Sequence, residues 1–502
     1  LMALKDNYRD LINRFEEIHT LIELSMLIGW DFQTYMPSKG VDQRSRQRSL
    51  MSALIHEKAT DPKIGQLLKS IKEDPDFHNL TESESRNIYL IEREYNRNIR
   101  IPKELVEQIA RQSTLSVKAW KQAKAEKNYS IFEPELAKML ELVKKRASYI
   151  DPEKEPIDVL LDINEPTMTS EIITQLFDQL KKGLIPILQR CLNSKTQPNL
   201  SLIKRKCPLP IQEELSQDIA GVVLYDLERG RIDTTEHPFT TGYYDDVRIT
   251  TKYEEEDFSE SFFAVMHECG HALYQQNLPR DVMNQPVGKF CSGGMHESQS
   301  RFIENVIGRS REFWEYYFSR FKEKTGDIFS DIELDPFILA INNVEQSKIR
   351  VLADEVTYSL HVIIRFEIER DLLTGKITTK ELPNVWNAKY KEYLGIDILD
   401  DAEGVMQDIH WASGGFGSFC SYALGNLYNA QFFHAMRKEF PNFYDLVRTG
   451  DLKPIINWLT EKVHKTANLY DPPELIKRIT GEDLNPQYFL QYLEEKYSKL
   501  YQ

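Results

Sequence analysis

The chain has 502 residues, a formal net charge of −15 and 41% hydrophobic content, with a pI near 5.4. That is ample apolar material for a large core, while the acidic balance argues against a nucleic-acid partner, which needs a basic face. No run of 18 apolar residues occurs, so nothing reads as a membrane span. The N-terminus has no positive region followed by an apolar one, so no signal peptide is expected. Its five cysteines are odd in number, scattered, and include no C-x-x-C pair. Reduced thiols in a cytoplasmic chain fit that usage.

From residue 3 to about 230 the pattern is helical. Leu11, Phe15, Ile18, Leu21, Ile22 and Met26 keep the rhythm of an amphipathic helix, which Trp30 to Pro37 ends, with a turn at 37–40. Further helices are expected over 41–60, 81–100, 103–127, 131–149 and 170–191, each bounded by Pro, Asp-Pro or Gly signals. Polar stretches near 193–209 and 231–257 are the natural seams. The second holds the one segment with strand character, His237-Pro238-Phe239-Thr240-Thr241-Gly242 leading into Val247 to Thr251. A hairpin there is a candidate floor for an extended peptide, or simply a surface hairpin. After it, a helix capped by Asp257 or Ser259 should end near Asn277. Helices over 298–323, 337–371, 379–394, 417–438 and 484–500 complete an all-α reading with one small β element at its centre. The expected organisation is a single domain over 1–502, in two lobes of roughly 1–230 and 231–502.

The most chemically loaded stretch is His267-Glu268-Cys269-Gly270-His271. Residues four apart on a helix share a face, so both imidazoles can reach one ion. Glu268 sits where its carboxylate can take a proton from a water at the metal. Zinc suits this donor set and needs a third protein ligand with a fourth position open. Gly270 costs about 1 kcal/mol against Ala inside a helix, which points to something approaching the backbone there. His296 and Glu297, just after a glycine turn, are both candidates for the third ligand. The residues after His271 exclude the His-x-x-Gly-x-x-His extension of metzincins.

Two dense stretches downstream, Ile349 to Glu355 and Gly404 to Trp411, pair apolar residues with charges that need partners. Arg350 can fork onto a carboxylate, or serve as a helix–helix salt bridge. Tyr422 and His410 can donate to an oxyanion, or sit as satisfied core residues.

Taken together, these pieces resemble the carboxypeptidase Taq family of zinc metallocarboxypeptidases. Its motifs stand in order as His237-Pro238-Phe239, Asp246-Val247-Arg248-Ile249-Thr250, His267 to His271, His296-Glu297-Ser298, Ile349 to Glu355 and Gly404 to Trp411. Trp30 to Pro37 matches the family's N-terminal pattern, so the likeness spans nearly the whole chain. The resemblance implies an all-α, saddle-like fold with a deep central groove, a homodimer, and release of residues from peptide C-termini. It implies Zn²⁺, or Co²⁺ in its place, on His267, His271 and Glu297, with Glu268 as general base. It also implies Arg350 as anchor for the terminal carboxylate and Tyr422 as a transition-state donor. His237 and Arg248 would line the groove, with His410 near the metal. One stretch departs: where the family reads Phe-Gly-Tyr-Phe-Pro-Thr-Tyr, this chain has Phe416-Gly417-Ser418-Phe419-Cys420-Ser421-Tyr422, which keeps the last Tyr and lacks an aromatic hydroxyl and a proline in the same turn.

The reading that follows is a zinc-dependent carboxypeptidase of broad specificity acting on peptides with a free C-terminus. Its rivals are a metallo-oligopeptidase cutting inside short peptides and a zinc-containing scaffold that has lost catalysis.

Overall fold

The computed structural model describes residues 2–502. Helices dominate from end to end, and the strands form one three-stranded sheet. The long opening helix α1 (Met2–Gln33) packs with the helices Pro62–Lys72 and Glu82–Arg100 around a small core of Leu4, Leu11, Ile64, Leu67, Ile71 and Ile91. A much larger apolar core runs from Ala123 to Tyr501 and holds most of the remaining elements together, while the helix Val41–Ala59 buries no residue.

The sheet has the order β1-β3-β2, with β1 (Ile232–Thr234), β2 (Thr240–Tyr243) and β3 (Asp246–Thr251). β2 and β3 make the expected hairpin, with Thr240 opposite Ile249 and Tyr243 opposite Asp246. Its two-residue turn needs a positive φ, and Tyr244 supplies it at 56°. Burial and a 3.2 Å hydrogen bond from the Tyr244 hydroxyl to the Gly288 carbonyl hold that conformation. The third strand, β1, pairs parallel to β3. At three residues it was too short to show a period in the sequence.

Helix α2 (Phe258–Gln276) begins at Asp257, whose carboxylate accepts the Ser259 N–H, and ends at Asn277. It is packed on several sides, against β2, β3, the helix Leu209–Val222 and the next helix. That next helix, α3 (Gly293–Arg301), is capped by the Ser292 hydroxyl, which accepts the Met295 N–H. Helices α4 (Tyr358–Leu373) and α5 (Cys420–Glu439) follow, and α5 packs along α3.

Two expected long helices are broken, and both breaks carry site residues. The 298–323 segment is α3, a π-helical turn at Phe302–Ile307 and a separate helix Arg311–Thr325. A π turn adds a residue to the helical repeat and shifts the faces, here at Glu304. The 337–371 segment is a short helix, Leu334–Ile341, then α4, with a 3₁₀ turn Arg350–Leu352 between. Asn342 ends the first by donating to the carbonyls of Arg309 and Ile338. Asp354 nucleates the second by accepting from the N–H groups of Val356 and Thr357 and from the Thr357 hydroxyl. Polar side chains, not Gly or Pro, make this break, so the periodicity of the apolar residues ran through it. No helix among the described residues is long and apolar enough to cross a membrane.

Candidate metal centre and anchor pocket

The helical spacing of α2 turns both imidazoles to one side, and α3 brings up Glu297 against them. Their ligand atoms all lie within 4.8 Å of one another. Glu297 Oε2 is 3.3 Å from His271 Nε2 and 3.7 Å from His267 Nε2. Gly270 permits this closeness, since a Cβ there would come within 2.4 Å of the Gln299 carbonyl and 2.5 Å of Ser300 Cα. Gly425 does the same on the α5 side, where a Cβ would sit 2.7 Å from the Glu297 side chain.

Both histidines are held through their other nitrogen. His267 Nδ1 donates to Glu304 Oε2 at 2.8 Å. His271 Nδ1 is 2.5 Å from His296 Nδ1, and the two rings stack with centroids 4.5 Å apart. Tyr274 stacks on His296 and His464 on Tyr274, which fixes the plane of His296. For His271 to present an Nε2 lone pair, its proton must sit on Nδ1, and His296 is the group that accepts it. His296 therefore lies behind a candidate ligand, and Glu297 is the third donor facing the cluster.

Glu297 divides its two oxygens. Oε1 accepts from Arg301 Nε at 2.7 Å, leaving Oε2 toward the histidines. Burial opposes its charge, but Arg301 and His267 outweigh it and hold its pKa well below the usual carboxylate value. Glu304 is held at about 2 by Arg301 and His267, again against burial. Burial likewise opposes a charged His267, and Glu297 and Glu304 outweigh it, so its pKa is raised. A field that favours a proton on His267 favours a cation in the same place. Two imidazole nitrogens and one carboxylate oxygen, converging and oriented from behind, fit a divalent metal of the kind that keeps one position open.

Glu268 is buried beside this cluster, its Oε2 accepting the Thr240 hydroxyl at 2.6 Å. Farther along, Arg350 is 6% exposed and places both Nε (3.1 Å) and one terminal nitrogen (2.9 Å) on Asp408 Oδ1. Arg365 Nε meets the other oxygen of Asp408 at 2.7 Å. Two guanidiniums thus share one carboxylate, which leaves a net positive pocket. Its wall includes Phe419 and Tyr422, whose ring centroids lie 5.5 and 5.1 Å from the Arg350 guanidinium. His410 packs against Phe419 with the rings tilted, centroids 4.4 Å apart. Burial pushes the His410 pKa down to about 4, so it is neutral near pH 7, and burial pushes Tyr422 up to about 12. The salt bridge at Arg350 is not a helix–helix contact; both partners come from the turns between helices.

Two residues expected to line the groove show other surroundings. His237 is exposed. Arg248 is forked onto Asp246 at 2.6 and 2.9 Å, with its guanidinium 4.3 Å from the Trp30 ring. Sequence reasoning missed Glu304, Thr240, Arg301 and Asp408 as partners. Glu304 had a usable signal, since it follows Glu297 by seven residues, a spacing that an unbroken α-helix would place on the same face. Thr240 had none, because its partner is reached only through the packing of β2 on α2.

Comparison with known proteins gives the family. The model of the carboxypeptidase Taq (M32) metallopeptidase family matches residues 10–497. Carboxypeptidase 1 of Bacillus subtilis is 39% identical, with 100% of each chain covered. Thermostable carboxypeptidase 1 of Thermus thermophilus is 38% identical over 98% of this chain and 99% of its own. The crystal structure of an M32 carboxypeptidase from Deinococcus radiodurans superposes with a TM-score of 0.96 at 34% identity, covering 99% of both chains. With the family model matched over residues 10–497, relatives alike over the full chain and a fold shared at a TM-score of 0.96, this chain belongs to the carboxypeptidase Taq family of metallopeptidases and is a metallocarboxypeptidase.

Proposed function

We propose that the chain is a zinc enzyme of broad specificity that removes single residues from the C-termini of peptides, with Co²⁺ able to replace Zn²⁺. His267, His271 and Glu297 would hold the ion, and a bound divalent cation supplies Lewis-acid polarisation and makes water at the site easier to deprotonate. Glu268 takes the proton from the attacking water through its free oxygen. As the new C–O bond forms and the peptide C–N bond breaks, it passes that proton to the leaving amine. Arg350 binds the terminal carboxylate. Of its five N–H groups, the Asp408 and Tyr358 contacts engage three, so two remain for substrate. Tyr422, whose hydroxyl has no protein partner, donates to the developing oxyanion, and neutral His410 lines the same wall. Arg248, committed to Asp246 and Trp30, and the exposed His237 are given no part in the bond-breaking step.

One observation carries the exopeptidase reading over internal cleavage. An unbroken line of contacts ties the positive pocket to the metal donors. Arg350 donates to the Tyr358 hydroxyl at 3.0 Å, the Tyr358 ring lies 4.2 Å from the Arg301 guanidinium, and Arg301 holds Glu297. A carboxylate receptor built into the metal site is what a carboxypeptidase requires and an oligopeptidase does not.

Glu268→Gln tests the base. The variant should retain its metal, measured by elemental analysis, and keep less than about a hundredth of the parent turnover. Turnover near the parent value with metal retained would remove Glu268 from the role.

A further inference from the structure

A carboxylate acting as a general base must choose an oxygen. Glu268 is 6% exposed, and its two oxygens are in different situations. Oε2 takes the Thr240 hydroxyl at 2.6 Å, within the range of a charge-assisted O–H···O⁻ bond. Oε1 has no protein partner and is not sealed from solvent. A second acceptor, the Glu268 backbone carbonyl, lies 3.1 Å from the same hydroxyl. The single hydroxyl proton therefore spans the carboxylate and the helix backbone that carries it.

Thr240 is itself held firmly. It pairs with Ile249 on β3. The residue before it, Phe239, donates its N–H to the Thr250 hydroxyl at 2.9 Å and accepts the Thr250 N–H at 2.9 Å. Two residues later Gly242, at φ 97°, allows the Asp246 carbonyl to approach where a Cβ would sit 1.8 Å away. β2 thus cannot slide along β3, and Thr240 meets α2 at one height only.

We propose that Thr240 is the positioning residue of the general base: its hydroxyl ties down Oε2 of Glu268 so that Oε1 is the oxygen that handles the proton. A free carboxylate can rotate about its last bond and present either oxygen at many angles. Pre-setting that rotation removes an entropic cost from the reacting geometry. The same division of labour appears in Glu297, where Arg301 ties one oxygen and leaves the other to face the histidines. This inference rests on Glu268 being the base.

The test uses the metal-loaded, full-length enzyme and an N-blocked dipeptide with a free C-terminus. Thr240→Val keeps the shape and deletes the hydroxyl. It should lower kcat about tenfold or more, with KM within about twofold and metal content unchanged. Thr240→Ser keeps the hydroxyl and should stay within about threefold of the parent. Thr240→Ala set against Thr240→Ser asks the same question with the methyl group absent from both, which covers a valine variant that folds poorly. On a Glu268→Gln background, Thr240→Val should cost almost nothing further. A valine variant with parental kcat, or a serine variant as slow as alanine, would overturn the proposal. A Glu268→Gln enzyme that stays active would instead sink the assignment of the base itself, so the two failures are distinguishable.

Discussion

At the residue scale, the site gives each candidate reactive side chain a partner that ties down one of its polar atoms and leaves the other to face the cluster. His267 is backed by Glu304, His271 by His296, Glu297 by Arg301 and Glu268 by Thr240. The two candidate histidine donors were legible in the sequence, because spacing of four and an adjacent Glu form a local pattern, whereas the third donor stayed open between His296 and Glu297. Arg301 stands four residues beyond Glu297 on the same helix, whereas Glu304, His296 and Thr240 reach their partners from other segments through the packing. His296 illustrates the difference: its type and position left it open as a ligand, and the fold sets it behind His271. His296→Phe should therefore lower metal affinity about 10–100-fold, as loss of such a partner commonly does, measured by competition with a chromophoric chelator. His296→Asn, which can offer an acceptor near the same place, should recover part of the loss. Parental affinity in the phenylalanine variant would show that the 2.5 Å contact does nothing for the ligand.

At the element scale, the centre depends on three helices brought closer than ordinary side chains allow. Gly270 on α2 meets the backbone of α3, and Gly425 on α5 meets Glu297. In a free helix Gly270→Ala would gain about 1 kcal/mol, but here the new methyl collides with main chain, and overpacking costs about 1–3 kcal/mol. The clash wins. Gly270→Ala should lower the melting temperature and weaken metal binding together; a variant more stable than the parent would contradict the close approach. Most elements were readable from apolar periodicity and end signals, including the β2–β3 hairpin and α2 with its Asp257 cap. Those that were not include the short β1 and the two breaks, one made by Asn342 and Asp354 without Gly or Pro and the other by the π turn that ends at Gly308. Both breaks serve the site: one frees Arg350 from helical geometry to meet Asp408, and the other places Glu304 beside His267.

At the scale of the whole molecule, the stretch that departs from the family pattern is gripped by two buried carboxyls. Glu369 accepts from Trp411 Nε1 at 2.9 Å and from the Gly417 N–H at 3.2 Å. Glu165 accepts the Ser421 hydroxyl at 2.7 Å and the Gly294 N–H at the start of α3. Cys420, between them, is fully buried and packs as an apolar side chain. Burial raises Glu369 to about 8 and Glu165 to about 7 from an ordinary 4.5. The unfolded chain loses these protons near the ordinary value, whereas the native state keeps them to higher pH. Over that window the native state binds more protons, so this contribution to stability falls as pH rises from about 4.5 to about 8. Glu369→Gln stays neutral at every pH and retains an acceptor. Its melting temperature relative to the parent should rise between about pH 5 and pH 8.5, each unit of raised pKa being worth about 1.4 kcal/mol. A difference that does not change with pH would show that Glu369 is already ionised in the native state.

The most direct test of the account compares one peptide with a free C-terminus and the same peptide amidated, with metal content determined on the same sample. Stepwise loss of single C-terminal residues from the free peptide alone, abolished by chelator and restored by Zn²⁺ or Co²⁺, is the predicted result. Internal cleavage of both peptides at similar rates would contradict it, because the Arg350 pocket beside the metal donors would then have no carboxylate to bind.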